Sequence, residues 1–337
     1  MGTQATNRRV TAADVARSLG ISRATVGFVL NGTPGQTISA ATTERVVAEA
    51  RRLGYRPHTA ARALASGRSN LILLVLPDWP IEFSLGQHID EATHTLESNG
   101  YTLITHTLHE DSRSRPLWET LQPDVVVGLL PFSDALVRSM REAGVPRIVP
   151  DPDIIPEVQH SEEGARLQIE HLRSLGHERI GYVRSGNPRL QQLIDMRQAT
   201  ALEAAAEAGL SAPEVFTLAA PESSEDPPVR DWVGRGITGI AAFNDDVAAA
   251  VIGAAQRAGL AVPAELSVVG HDDTPIAAMI EPRITSVRLD ATGLGQYLAS
   301  LAITAMDGVS ASPLQEGSAV SLVERASSAV APKATRI

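Results

Sequence analysis

The sequence predicts an all-α N-terminal module with a helix-turn-helix, followed by an α/β body of two similar parallel-sheet lobes. Three observations predict it. Residues 1–68 hold ten arginines against three acids, Asp14, Glu44 and Glu49. That module is therefore +7, which leaves −17 for the rest of a chain whose formal charge is −10. From Leu71 onward, short apolar runs alternate with longer amphipathic stretches, as in βαβ units. The alternation lasts about 260 residues, long for one sheet, so two lobes are expected with a boundary near His160.

Composition bounds the chemistry. The 337 residues are 43% hydrophobic and 4% aromatic, an ordinary globular balance. There is no cysteine, which removes disulfides, thiolate zinc sites, iron–sulfur clusters and cysteine nucleophiles. A reducing, cytoplasmic setting fits. Lys333 is the only lysine. The leading MGTQATNRRV has no apolar region after its arginines and is not read as a signal peptide. No uncharged apolar run approaches 18 residues, so no membrane span is expected.

In Thr11–Asn31, TAADVARSLGISRATVGFVLN, the residues Val15, Ala16 and Leu19 form the inner stripe of a first helix. Gly20 ends that helix in the left-handed conformation and Ile21 plugs the corner. Ser22 caps a second helix whose inner residues are Val26, Val29 and Leu30. Its other face carries Arg23, Ala24, Gly27, Phe28 and Asn31. This is the pattern of a helix-turn-helix, whose second helix lies in the DNA major groove. The plainer reading is any helical hairpin with a glycine corner. A third helix is expected from the Ser39 cap to Leu53, with Val46, Val47, Ala50 and Leu53 inward. In Tyr55–Arg68 the run Ala60–Ala65 favours helix but is too short to stand alone. It either folds on DNA or serves as a linker.

In the body, strands are expected at Leu71–Leu76, Tyr101–Thr105, Asp124–Leu129, Arg147–Val149, Arg179–Val183, Gly239–Phe243 and Leu266–Gly270. Helices are expected at Ile89–Asn99, Glu162–Leu175, Met196–Ala208 and Asp246–Ala258. Pro221–Pro228 reads as a polar loop, and the tail after Ala331 as frayed.

Thr11–Asn31, followed by ISAATTERVVAEARRLGYRPHTAARALASG at 38–67, resembles the headpiece and hinge of the lactose-repressor (LacI) family of bacterial transcription regulators. The resemblance continues through FNDDVAAAVIGAAQRAGLAVPAELSVVGHDD at 243–273, RITSV at 283–287 and SLVERASS at 321–328. It implies a headpiece and hinge over 9–68 and a periplasmic-binding-protein-like body of two Rossmann-like lobes over 69–331. Lobe one would comprise 69–159 plus 291–318, and lobe two 160–290 plus 319–331. In that family the exposed start of the second helix reads bases, and Arg23 and Ala24 match its leading specificity positions. Arginine can bond guanine O6 and N7 together. Ser22, Thr25 and Asn31 match phosphate or base contacts, and Ser39 and Thr42 match backbone contacts. His58 matches a polar minor-groove position, and Leu64 the hinge leucine that wedges into the operator centre. Two departures stand out. Gly27-Phe28 replaces the usual Ser-Arg, so Phe28 would meet a thymine methyl or a sugar instead, and the loop Gly32–Thr37 is about two residues longer than usual.

For the body the resemblance implies a ligand cleft between the lobes. Asp151, Arg197, Asn244 and Asp272 match the family's ligand contacts, and Trp79 and Phe83 are placed to stack on a ring face. Plainer roles exist for several of these. Asp245 reads as a helix cap or loop turn, Arg197 could pair with Asp195 or with a neighbouring surface acid, and Asp273 supports its loop. The chain has DWPIEFS at 78–84 where the family has Asn-Pro-Phe, so no relative's ligand is carried over. His106 and His109 read as surface residues, with no third metal ligand evident. No G-x-G-x-x-G, P-loop, H-E-x-x-H or G-x-S-x-G is present, so no cofactor and no enzyme activity are expected. The expectation is a repressor, acting as a homodimer on a pseudo-palindromic double-stranded operator and controlled by a small polar effector, a sugar or sugar derivative. A corepressor- or partner-protein-dependent regulator is the alternative. A transport solute-binding protein shares such a body but needs no basic headpiece.

Overall fold

The computed structural model describes residues 10–31, 36–55, 68–109, 115–150, 163–218, 226–307 and 320–333. The chain divides into two compact units, Met1–Asn70 and Leu71–Ile337.

The first unit is a bundle of α1 (Ala12–Leu19), α2 (Arg23–Asn31) and α3 (Ala40–Arg52). Each helix starts on a hydroxyl cap. Thr11 Oγ1 accepts from Asp14 N, and the Asp14 carboxylate accepts from Thr11 N at 2.9 Å. Ser22 Oγ accepts from Thr25 N at 3.0 Å, and Ser39 Oγ from Thr42 N at 3.2 Å. Each such cap contributes about 1 kcal/mol. Gly20 ends α1 at φ 67°, a left-handed conformation that a side chain would resist. Val15, Ala16, Val26, Val46 and Ala50 form the buried core, with Leu19, Ile21, Val29, Leu30 and Leu53 packed around it.

The second unit holds two sheets. One has four parallel strands in the order β2-β1-β3-β4: β1 (Leu71–Leu76), β2 (Thr102–Thr107), β3 (Val125–Gly128) and β4 (Ile148–Val149). β1 reads LILLVL because both of its faces are covered. Ile72, Leu74 and Leu76 pack with Leu96, Ala299 and Met306, whereas Leu73 and Val75 pack with Trp118, Val126 and Met140. The covering helices include α4 (Phe83–Ser98), α5 (Leu117–Leu121) and α6 (Asp134–Glu142).

The other sheet has six strands in the order β10-β9-β8-β7-β5-β6. These are β5 (Ile180–Arg184), β6 (Glu214–Thr217), β7 (Gly239–Ala242), β8 (Ser267–His271), β9 (Thr285–Leu289) and β10 (Val320–Val323). The β9–β10 pair alone runs antiparallel among the described pairings. Its helices are α7 (Glu163–Ser174), α8 (Gln191–Glu207), α9 (Val229–Gly234), α10 (Asp245–Arg257) and α11 (Pro275–Met279), with a 3-10 turn at Pro188–Leu190. After β9 the chain returns to the first sheet as α12 (Ala291–Asp307), which packs on α4. A Cβ at Gly295 would stand 2.6 Å from Glu91 Cβ, so this close approach requires glycine.

β6, β9 and β10 lie outside the expected strands for physical reasons. β6 and β10 are half-exposed edges without an apolar run. In β9 the buried Thr285 and Ser286 are polar, and Thr285 N donates to Ser327 Oγ at 2.8 Å. α4 starts six residues before the expected Ile89, so Phe83 is its first residue. Among the described residues, no helix is long and apolar enough to cross a membrane.

Candidate functional site

In the three-helix unit, packing Val26 inward turns Arg23 and Ala24 outward, and both are exposed. Phe28 is half-buried, and Asn31 ends α2. The Ser22 and Ser39 hydroxyls cap their helices and lie 2.8 Å from Thr25 Oγ1 and 2.9 Å from Thr42 Oγ1. The acids of this unit neutralise a specific subset of its arginines. Asp14 holds Arg17 at 3.0 Å. Glu49 takes two bonds from Arg52, each 2.7 Å, and a third from Ser18. Those bonds to Arg52 and Ser18 hold the Glu49 carboxyl down at about 2. Exposed Arg23, Arg45 and Arg51 have no ion-pair partner among the described residues, so free positive charge lies on α2 and α3. His58 and Leu64 lie outside the described residues.

In the body, a 300 Å³ cavity opens between the two sheets' layers. Trp79 and Glu82 reach it from the segment after β1, His88 from α4, Arg197 from α8 and Asp272 from the end of β8. Leu294, Tyr297, Leu298 and Leu301 wall it from α12. Apolar walls with a few fixed polar groups are the usual build of a ligand cavity.

Arg197 and Asp272 form the polar anchor. Arg197 donates to Asp272 Oδ1 at 2.8 Å, to Asp272 Oδ2 at 3.2 Å and to the Phe243 carbonyl at 2.8 Å. Only 6% and 8% of the two side chains is exposed. Burial would raise the Asp272 carboxyl, but the Arg197 guanidinium and His271 hold it well below the usual carboxylate range. Burial and Arg197 push the His271 ring toward its neutral form, and its Nδ1 lies 2.9 Å from Asp272 Oδ1, an acceptor for an Nδ1 proton. Asp272 therefore replaces Asp195 as the partner of Arg197; Asp195 bonds Gln191 at 2.6 Å instead.

The remaining positions separate. Asn244 caps α10 through Oδ1, which accepts from Val247 N at 3.0 Å, and its Nδ2 reaches Glu82 at 3.4 Å. The cap at this strand end is thus Asn244, and Asp245 is the first helical residue. Asp245 is buried and accepts from Ser286 Oγ at 2.6 Å and from Thr274 N at 2.6 Å. Asp273 supports its loop by pairing with Arg288 and Arg325, both at 2.6 Å. Phe83 lines a neighbouring 530 Å³ recess with Asp273, Arg288 and Arg325. Asp151 lies outside the described residues. His109 Nδ1 lies 2.9 Å from Asp78, and His106 meets the edge of Trp118.

Sequence reasoning missed Glu82, His88 and the α12 wall. The α12 signal was readable, because residues 294, 297, 298 and 301 follow the i, i+3, i+4, i+7 stripe of a helix. Nothing in the sequence assigns that stripe to a cleft more than 200 residues from Glu82.

Comparison with known proteins covers both units. Residues 11–58 match the family described as bacterial regulatory proteins, lacI family, and residues 169–328 match a periplasmic binding protein-like domain. The HTH-type transcriptional regulator GalS of Salmonella typhimurium (strain LT2) is 32% identical over 314 residues, 89% of this chain and 91% of that protein. GalR of Escherichia coli (strain K12) is 30% identical over 310 residues, 87% of this chain and 88% of that one. In fold, the chain resembles the lac repressor dimer bound to operator and an anti-inducer. That likeness has a TM-score of 0.75 at 24% identity and covers 96% of this chain and 100% of that one.

Proposed function

Because the chain belongs to the lacI family of bacterial regulatory proteins and is a DNA-binding transcription regulator, we propose that it is a repressor controlled by an effector held between the two lobes. The observation that carries the reading is the 300 Å³ cavity with the buried Arg197–Asp272 pair at its polar end. The effector is a small polar molecule, a sugar or sugar derivative. Trp79, Arg197 and Asp272 contact it, Asn244 acts with Glu82, and Phe83 and Asp151 are further candidate contacts.

On the DNA side, the headpiece and hinge span 9–68, and Arg23, Ala24 and Phe28 read base edges. Ser22, Thr25, Asn31, Ser39 and Thr42 hold phosphates or neighbouring bases. His58 and Leu64 enter the minor groove from the hinge. The repressor works in the cytoplasm as a homodimer on a pseudo-palindromic double-stranded operator. Its two headpieces present about +14 to the phosphates, while the acidic bodies stay clear of them. The effector acts through its difference in affinity between a DNA-competent and a released state.

The test is genome-wide selection of bound DNA followed by gel-shift titration of the selected site against candidate effectors. Selection of a symmetric site that an effector releases is the expected result. Binding without sequence preference, or a site that no candidate effector modulates, contradicts the reading.

A further inference from the structure

Glu82 is the feature of the cavity that the resemblance does not account for. Its carboxylate is half-buried at the cavity, and its one hydrogen bond among the described residues is the 3.4 Å contact from Asn244 Nδ2. Asn244 Oδ1 is already held by the α10 backbone, so that amide cannot turn to improve the contact. The one cation acting on Glu82 among the described residues, Arg197, has both terminal nitrogens engaged, by Asp272 and by the Phe243 carbonyl. The other charges acting on Glu82 are Asp272 and Asp246, both negative. Burial, then those two carboxylates, raises the Glu82 carboxyl above its ordinary value.

A second group points the same way. His88 is 9% exposed, lines the cavity, and its Nε2 has no hydrogen-bond partner. Burial pushes its ring toward the neutral form, so it offers a bond without adding positive charge. The charged groups lining the cavity, Glu82, Asp272 and Arg197, therefore leave an excess of negative charge, and His88 adds hydrogen-bonding capacity without a positive charge. A phosphorylated ligand would bring like charge to it, whereas a cation would relieve it.

We propose that the effector is an amino-substituted sugar whose protonated amine docks on Glu82, with Trp79 and the α12 leucines covering its apolar face. The proposal rests on the reading that the cavity holds the effector. Glu82 is then the residue that selects amine over hydroxyl and excludes phosphate.

The test is calorimetric titration of the full chain with glucose, glucosamine and glucose 6-phosphate, repeated with the galactose series. At least one amino sugar is expected to bind about tenfold more tightly than its parent, and neither phosphate is expected to bind. Glu82→Gln keeps the bond to Asn244 and removes only charge, so it should erase the amine advantage with an intact melting curve. The proposal is overturned if a parent sugar binds as well as its amine, or if a phosphate binds best. It is also overturned if no amino sugar binds, or if the advantage survives Glu82→Gln. Trp79→Ala, and Ser84→Trp at a second residue lining the cavity, separate the two levels. A neutral sugar whose binding those variants abolish leaves the cavity reading standing and removes the amine. Binding that both leave unchanged removes the cavity reading itself.

Discussion

Arg189 Nη2 stands 2.8 Å from Asp78 Oδ1, and this ion pair ties the segment after β1 of the four-stranded sheet to the 3-10 turn beside the six-stranded sheet. Arg189 Nε also reaches the Asp78 carbonyl at 3.2 Å, and His109 Nδ1 lies 2.9 Å from the same carboxylate. Four residues on, Glu82 meets Asn244, so one short segment spans the cleft at two points.

From this pair follows a local prediction. Both side chains are substantially exposed, at 47% and 34%, so salt screens them and they add little to global stability. Arg189→Ala should leave the melting midpoint nearly unchanged while amide exchange across Asp78–Glu82 rises several-fold. Raising the salt should bring the wild type toward the variant. Equal exchange in the two proteins, measured by mass spectrometry, would mean that the pair does not hold this segment.

Arg197 and Asp272 behave oppositely because they are buried. Removing one partner leaves a desolvated charge, at a cost of about 3–5 kcal/mol. Arg197→Ala should therefore weaken the body by that order in urea melts, and loss of effector response alone cannot diagnose a contact there. The folded carboxyl of Asp272 is depressed, so its contribution is complete above the ordinary carboxylate value and fades as pH falls through the folded one. Acid melts of the wild type should steepen below about pH 4, and Asp272→Asn should lose that steepening. A stability change under about 1 kcal/mol in Arg197→Ala would contradict the buried pair.

Asp245 carries the reverse sign. Burial, the largest influence, pushes its carboxyl from 3.8 up to about 7, against the hydrogen bonds from Ser286 and Thr274. The folded state then holds a proton that the unfolded state has lost. Stability is fully present below about pH 4, falls as pH rises toward 7, and levels off above it. Asp245→Asn keeps an acceptor for Thr274 and removes the ionisation. Between pH 5 and pH 8 the wild type should lose on the order of 2 kcal/mol more than the variant. Parallel pH profiles for the two proteins would refute it.

The fold class was legible because burial on both faces of a parallel sheet leaves a dense apolar run, as at Leu71–Leu76 and Gly239–Phe243. The edge strands β6 and β10 carry no such run and went unmarked, whereas β2 and β4, the edges of the other sheet, were marked by short apolar stretches. The helix caps at Ser22 and Ser39 were legible because a hydroxyl before an apolar stripe acts within three residues. Site geometry depends on long-range pairing and was not legible in that way. Asp272 was visible at the end of a strand and Arg197 near the start of an expected helix, which in fact begins earlier, at Gln191; their mutual bond crosses 75 positions. Glu82 carried no signal of its own, and only the fold sets it beside Asn244, 162 positions away.

Arg23 offers the sharpest test of the DNA surface. It is exposed at the start of α2 and has no ion-pair partner among the described residues, whereas Arg52 is held by Glu49. A free guanidinium in a major groove can take two acceptors on one guanine. Arg23→Ala should therefore relax preference at one position in each half-site by about 1–3 kcal/mol and leave the other positions intact. Arg45→Ala, which removes another exposed charge, this one from α3, should weaken binding evenly across sequences and reduce its salt dependence. Binding-site selection on both variants distinguishes them. If Arg23→Ala loses affinity evenly, with its preferred sequence unchanged, the residue holds phosphate and the base-reading role passes to Ala24 and Phe28.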